Sequence, residues 1–254
     1  MSTSRTPLRR SPSRRKGRLV AVLAGLLAAL TVWAPGAVAE AGPVLAGGGP
    51  AGTTAADAAT PQGDRGRDAS SQTISPGDPI FSGGARCTAG FNVTDGTDVF
   101  IVTAGHCTSV GSTWYADPQL TIPIGPTVSS SFPGNDYGLI RYDNPDLTPE
   151  GGYSLGSPSV GQQVYIRTPQ TGIHSGTITA LNATIDYGPD GIIYGLIRTN
   201  ICLPVGAGGG TPLFGQNDQA LGIASGGSGS CSSGGTSYFQ PLNEVLSTFG
   251  LTLY

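Results

Sequence analysis

The sequence predicts an all-β protein made of barrels or sandwiches, on three observations. Glycine supplies 41 of 254 residues while charged residues make up only 11%, which suits short strands and tight turns, not long charged helices. Strand signals then recur with turn signals between them and no helical pattern in between. Finally, PDLTPEGGYSLGSPSVG (145–161) reads as a connector midway, dividing the strands into two halves.

Taken in order, the chain opens on a basic run, RRSPSRRKGR (9–18), an apolar run, LVAVLAGLLAALTVWA (19–34), and a small-residue site, AVA (37–39). Together they predict a secretory signal peptide over 1–39. The apolar run is short for a membrane span of ~20 residues. Residues 40–73 are rich in Ala, Gly and Thr, without an aromatic residue or an apolar period. They are expected to be a disordered linker or a short pro-segment.

FNVT, DVFIVTAG, TVSSSF and YGLIRY give the first set of strands, in an expected N-terminal β domain at 74–157. QQVYIRT, HSGTITALNATIDY, IIYGLIRTNI, TPLFG and QALGIASGG give the second, in an expected domain at 158–254. FQPLNEVLSTFG predicts a short closing helix. Pro241 suits its first turn, Leu242, Val245, Leu246 and Phe249 form an apolar stripe, and Gly250 suits its stop.

From Ile74 onward the chain has four arginines against twelve acids, a net charge of −8. Such a surface repels nucleic acid and anionic lipid, so neither nucleic acid nor a membrane is an expected partner. The four cysteines, an even count behind a signal peptide, imply disulfides. Three connectivities are open; Cys87–Cys107 with Cys202–Cys231 is the most local. With no CxxC pair and two histidines, neither a metal site nor a cofactor is expected.

Three stretches carry candidate chemistry. TAGHC (103–107) puts His106 beside a cysteine at the end of an apolar strand. GNDYGLIRY (134–142) puts Asp136 at the start of another. CLPVGAGGGTPLFG (202–215) has the outline of a nucleophile loop, and SGGSGSC (225–231) follows it. Singly these are weak signals; in the order histidine, aspartate, loop they form a specific set.

With RCTAGFNV, SSFPGNDYGLIRY, GIHSGTITALNATIDYG and SGGSGSCSSGGTSYFQPL, these stretches make the sequence from Ile74 to Tyr254 resemble the streptogrisins, secreted chymotrypsin-like serine proteases of actinomycetes. The resemblance implies two antiparallel six-stranded β-barrels with the site between them, the two local disulfides, and Ile74 as the mature N-terminus. It matches His106 to the general base and Asp136 to its orienting carboxylate. Ser225, Gly226 and Gly227 match the edge that pairs with a substrate backbone, in a site for large apolar residues. His174 is expected to be structural.

The family motif G-D-S-G-G is here Gly206-Ala207-Gly208-Gly209-Gly210. Read without a gap, Gly208 stands at the nucleophile, and Gly206, Ala207 and Gly208 form the oxyanion loop. A glycine cannot form an acyl-enzyme. Arg167 matches the arginine that pairs with the aspartate now replaced by Ala207. It is therefore expected to turn to solvent, or the loop to rearrange, because an unpaired buried cation is costly.

The expected function is that of an inactive, monomeric protease homologue that binds peptides, proteins or protease inhibitors. The alternatives are an active endopeptidase with another nucleophile, with Thr211 the nearest hydroxyl, and a structural or interaction domain.

Overall fold

The computed structural model describes residues 72–254. The predicted signal peptide and nearly all of the predicted linker lie outside them. The first half contains β1 (Gln72–Ile74), β2 (Pro79–Ser82), β3 (Ala85–Thr88), β4 (Phe91–Thr94), β5 (Val99–Thr103), the single turn α1 (Gly105–Thr108), β6 (Thr113–Tyr115), β7 (Pro123–Ser131), β8 (Tyr137–Arg141) and β9 (Leu147–Pro149). The second contains β10 (Gln163–Thr168), β11 (Gly172–Asp186), β12 (Ile192–Thr199), β13 (Pro212–Phe214), β14 (Ala220–Ser230), β15 (Gly234–Pro241), α2 (Leu242–Phe249) and β16 (Thr252–Leu253). Among the described residues no helix is long and apolar enough to cross a membrane.

The second half is a closed barrel of six strands in the order β10-β11-β12-β15-β14-β13. The first half departs from the expected second barrel. It is a curled eight-stranded sheet, β16-β4-β5-β8-β7-β6-β2-β3, with β3 and β4 toward opposite edges. The reason lies at Ala89 and Gly90, which interrupt one run of chain. Before the break the run pairs with β2, with Ile80 opposite Cys87. After it the run pairs with β5, with Phe91 opposite Val102. The curl is thus joined there by the covalent chain and not by a ladder. Gly90 permits the corner: a Cβ there would lie 3.0 Å from the Gly210 carbonyl oxygen and overlap Val102 and Ile223. The last strand, β16, returns to this sheet beside β4.

Period-2 alternation explains why DVFIVTAG reads as a continuous apolar run. On β5, Ile101 faces a core inside the first half, with Ile80, Trp114, Ile124 and Ile140. Its neighbours Phe100 and Val102 face a second core, shared with Phe214, Ile223 and the α2 residues Leu242, Val245 and Leu246. A strand buried on both faces needs no polar side. The shared core joins the two halves and fixes the groups that meet between them. The barrel has a third core around Ile166, Ile178, Leu213 and Phe239.

Helix α2 forms where predicted, with Pro241 preceding it and Gly250 ending it at φ 66°. Both local disulfides form, with Cα separations of 6.3 Å for Cys87–Cys107 and 5.1 Å for Cys202–Cys231. The first ties α1 to β3.

Candidate active site

His106 sits on α1, where β5 ends, and Asp136 immediately precedes β8, which pairs with β5. Sheet pairing therefore brings together two residues 30 positions apart. The Asp136 side chain is fully buried and the His106 side chain about one-third exposed (36%). His106 Nδ1–H donates to Asp136 Oδ2 at 2.9 Å, and its backbone N–H donates to Oδ1 at 2.9 Å. An ionised carboxylate only accepts, so this arrangement fixes the proton on Nδ1 and leaves Nε2 as the acceptor facing the cleft.

The barrel supplies the rest. Ser225, on β14, donates its hydroxyl to Asp136 Oδ2 at 2.5 Å. The Tyr187 hydroxyl lies 3.1 Å from Ser225 Oγ. Burial pushes the Tyr187 phenol above its ordinary pKa, so it remains a donor to Ser225. The Asp136 N–H donates to Gln240 Oε1 at 2.9 Å, and Gln240 Nε2 donates to Glu244 Oε2 at 2.8 Å. The carboxylate is thus held from both halves. Sequence reading placed Ser225 only at a peptide edge and missed its bond to Asp136. It missed Gln240 and Tyr187 altogether.

The glycine loop is two successive turns. Ala207 N–H donates to the Pro204 carbonyl at 3.0 Å, and Thr211 N–H to the Gly208 carbonyl at 3.1 Å. Gly206 and Gly210 occupy the third positions of these turns at φ 97° and 92°, which a side chain would strain. Gly208 and Gly209 carry no such backbone demand, and their surroundings differ. A Cβ on Gly208 would point at Thr88 Oγ1, 3.2 Å away, and at Cys87. A Cβ on Gly209 would overlap the His106 ring at Nε2 and Cε1. The glycine whose Cβ would meet the His106 ring is therefore Gly209, whereas Gly208 faces Thr88 and Cys87. Strand β13 begins at Pro212, paired with Ile223, directly after the second turn. Among the described residues the N–H groups of Gly208 and Gly209 donate to no protein acceptor.

Serine protease 2 of Streptomyces fradiae is 44% identical over 175 residues, which cover 64% of this chain and 99% of that protein. Streptogrisin-A of Streptomyces griseus is 42% identical over 190 residues, 71% of this chain and 61% of that one. The chain belongs to the streptogrisin-like, chymotrypsin-fold serine protease family. Its span is 61% of streptogrisin-A and 47% of streptogrisin-D. Among solved structures, alpha-lytic protease homolog N4 matches with a TM-score of 0.67 at 36% identity, over 72% of this chain and all of the other. Cellulomonas bogoriensis chymotrypsin matches with a TM-score of 0.61 at 38% identity, over 72% and 98%. No family model matches the chain.

In this streptogrisin-like chain the remaining candidate hydroxyl is turned away from the base. Thr211 is buried and donates to the Gly208 carbonyl at 2.8 Å. Beyond Ala224, β14 has β15 on one side and no described strand on the other, so Ser225, Gly226 and Gly227 lie on an open edge. His174, on β11, bonds to Thr171 Oγ1 at 2.9 Å, close to its own turn. Among the described residues no group of three or more His, Cys, Asp or Glu side chains could hold a metal ion.

Arg167 is partly exposed and points outward. It pairs with Asp218 at 3.0 Å and lies over the rings of Tyr165 and Phe214. The inward position on β10 is Ile166, fully buried in the core against which Ala207 packs. The loop thus rests on an apolar contact and leaves no buried cation. The Tyr165 hydroxyl and Arg167 hold the Asp218 carboxyl below its ordinary pKa. Both partners of the Arg167–Asp218 pair are substantially exposed. Arg167→Ala should therefore cost less than about 1 kcal/mol once solvent screening is counted. A larger loss in urea unfolding would show that the pair supports the loop.

Proposed function

We propose that this chain is a secreted protease homologue that binds extended peptides and does not cleave them. The observation that carries the reading is Gly209. The position facing Nε2 of an intact His106–Asp136 pair holds no side chain, so a base is present without a nucleophile to activate. The open edge at Ser225–Gly227 supports peptide binding, because a free strand edge can add a peptide strand. Two disulfides suit an oxidising compartment and support secretion.

The first oxyanion donor supports the reading as well. In the triad mechanism the N–H groups of the nucleophile and of the residue two before it hold the oxyanion. Here these are Gly209 and Ala207, and the Ala207 N–H is already bonded to Pro204. The test is titration of the natural chain with a peptide amide bearing a large apolar residue. Saturable binding without hydrolysis is expected. Hydrolysis by the natural chain that His106→Ala abolishes would overturn the proposal.

A further inference from the structure

We infer that the cleft beside His106 contains a subsite for a basic side chain, with the Asp190 carboxylate as its counter-charge. This rests on the peptide-binding reading and adds the chemistry of the residue bound. The cleft has a volume of about 380 Å³. That is near the lower end for ligand pockets and suits one long side chain. Val110, Phe132 and Tyr187 give it apolar lining, His106, Ser109 and Ser225 give polar lining, and Asp190 contributes its only carboxylate. Apolar lining together with an exposed carboxylate fits an arginine or lysine, which buries its aliphatic stem and keeps its charged head in water.

No cation of the described chain occupies that role. Asp190 is exposed on the turn after Tyr187, and its side chain makes no ion pair or hydrogen bond among the described residues. The four arginines are engaged elsewhere. Arg86 donates to the Gly206 carbonyl, Arg141 pairs with Asp143, Arg167 pairs with Asp218, and Arg198 donates to Thr179. Lysine does not occur among the described residues. The surrounding charge of −8 from Ile74 onward favours a basic ligand over an acidic one.

Strand alternation places this residue in the peptide. On a peptide paired with Ser225–Gly227, successive side chains point to opposite sides. A large apolar residue lying against Gly226 and Gly227 therefore has its neighbour over the His106 cleft. The full-length protein is titrated with acetyl-Ala-Ala-Arg-Phe-amide and with its citrulline counterpart, which keeps the shape and removes the charge. The arginine peptide should bind about 5- to 20-fold more tightly at low salt, a preference that shrinks toward unity in concentrated NaCl. Asp190→Asn should abolish the preference and leave citrulline binding unchanged. Equal affinity for both peptides overturns the subsite and leaves the peptide-binding reading intact. A preference that survives Asp190→Asn also overturns it. Failure of both peptides to bind overturns the subsite and the peptide reading together.

Discussion

Gly209→Ser is expected to give the chain a working nucleophile, and Gly208→Ser is not. Only the first places a hydroxyl against His106 Nε2; the second faces Thr88 and Cys87. In other serine proteases, loss of the serine costs roughly 10⁶ in rate. A missing oxyanion donor costs roughly 10²–10³, and the Ala207 N–H is already committed to Pro204. The hydroxyl alone should therefore recover roughly 10³–10⁴ over the natural chain. The His106 ring must also withdraw, because it now occupies the space of the new Cβ. Labelling by a fluorophosphonate probe, with the adduct located by mass spectrometry, reads the result directly. An adduct at residue 209 alone supports the loop register described here. An adduct on Gly208→Ser, with none on Gly209→Ser, would restore the ungapped register and refute this one.

That register was not legible in the sequence, for a physical reason. GAGGG contains one methyl group, so a shift by one residue changes almost nothing that a sequence comparison can weigh. What fixes it is the pairing of Pro212 with Ile223 and the two turns at Gly206 and Gly210, all of them backbone effects. Arg167 shows the opposite case. The alternation in VYIRT already places Val164 and Ile166 inward and Tyr165 and Arg167 outward. The expectation that Arg167 turns to solvent once its aspartate partner is lost agrees with this period. The bent run through Ala89 and Gly90 escaped notice because its two halves look like separate short strands. Helix α2, the His106 and Asp136 positions and the local disulfides were readable because each is marked by distinctive side chains. Ser225 was readable as an edge residue only, since its partner Asp136 is 89 positions away.

Asp136→Asn should destabilise the fold by about 2–4 kcal/mol, whereas His106→Ala should cost less than about 1 kcal/mol. In an active protease both residues would be retained for chemistry, so their loss would be judged by rate. Under the proposed non-cleaving reading their structural roles separate. The Asp136 carboxylate is fully buried and accepts from the His106 N–H, His106 Nδ1 and Ser225 Oγ. It therefore binds α1 of the first half to β14 of the second. An asparagine has one oxygen for these donors, and its NH₂ is satisfied only when His106 moves its ring proton to Nε2 or Ser225 turns its hydroxyl to accept, so at least one of the present bonds is lost. The His106 ring is one-third exposed and, beyond Asp136, meets only the edge of the Phe132 ring. Urea unfolding of the two variants measures the difference. Equal and small losses would mean that the buried network does not hold the halves together, and that the pair persists for reasons other than stability. A large loss for Asp136→Asn, relieved when Ser225→Ala removes one of the opposing donors, would assign the cost to that network.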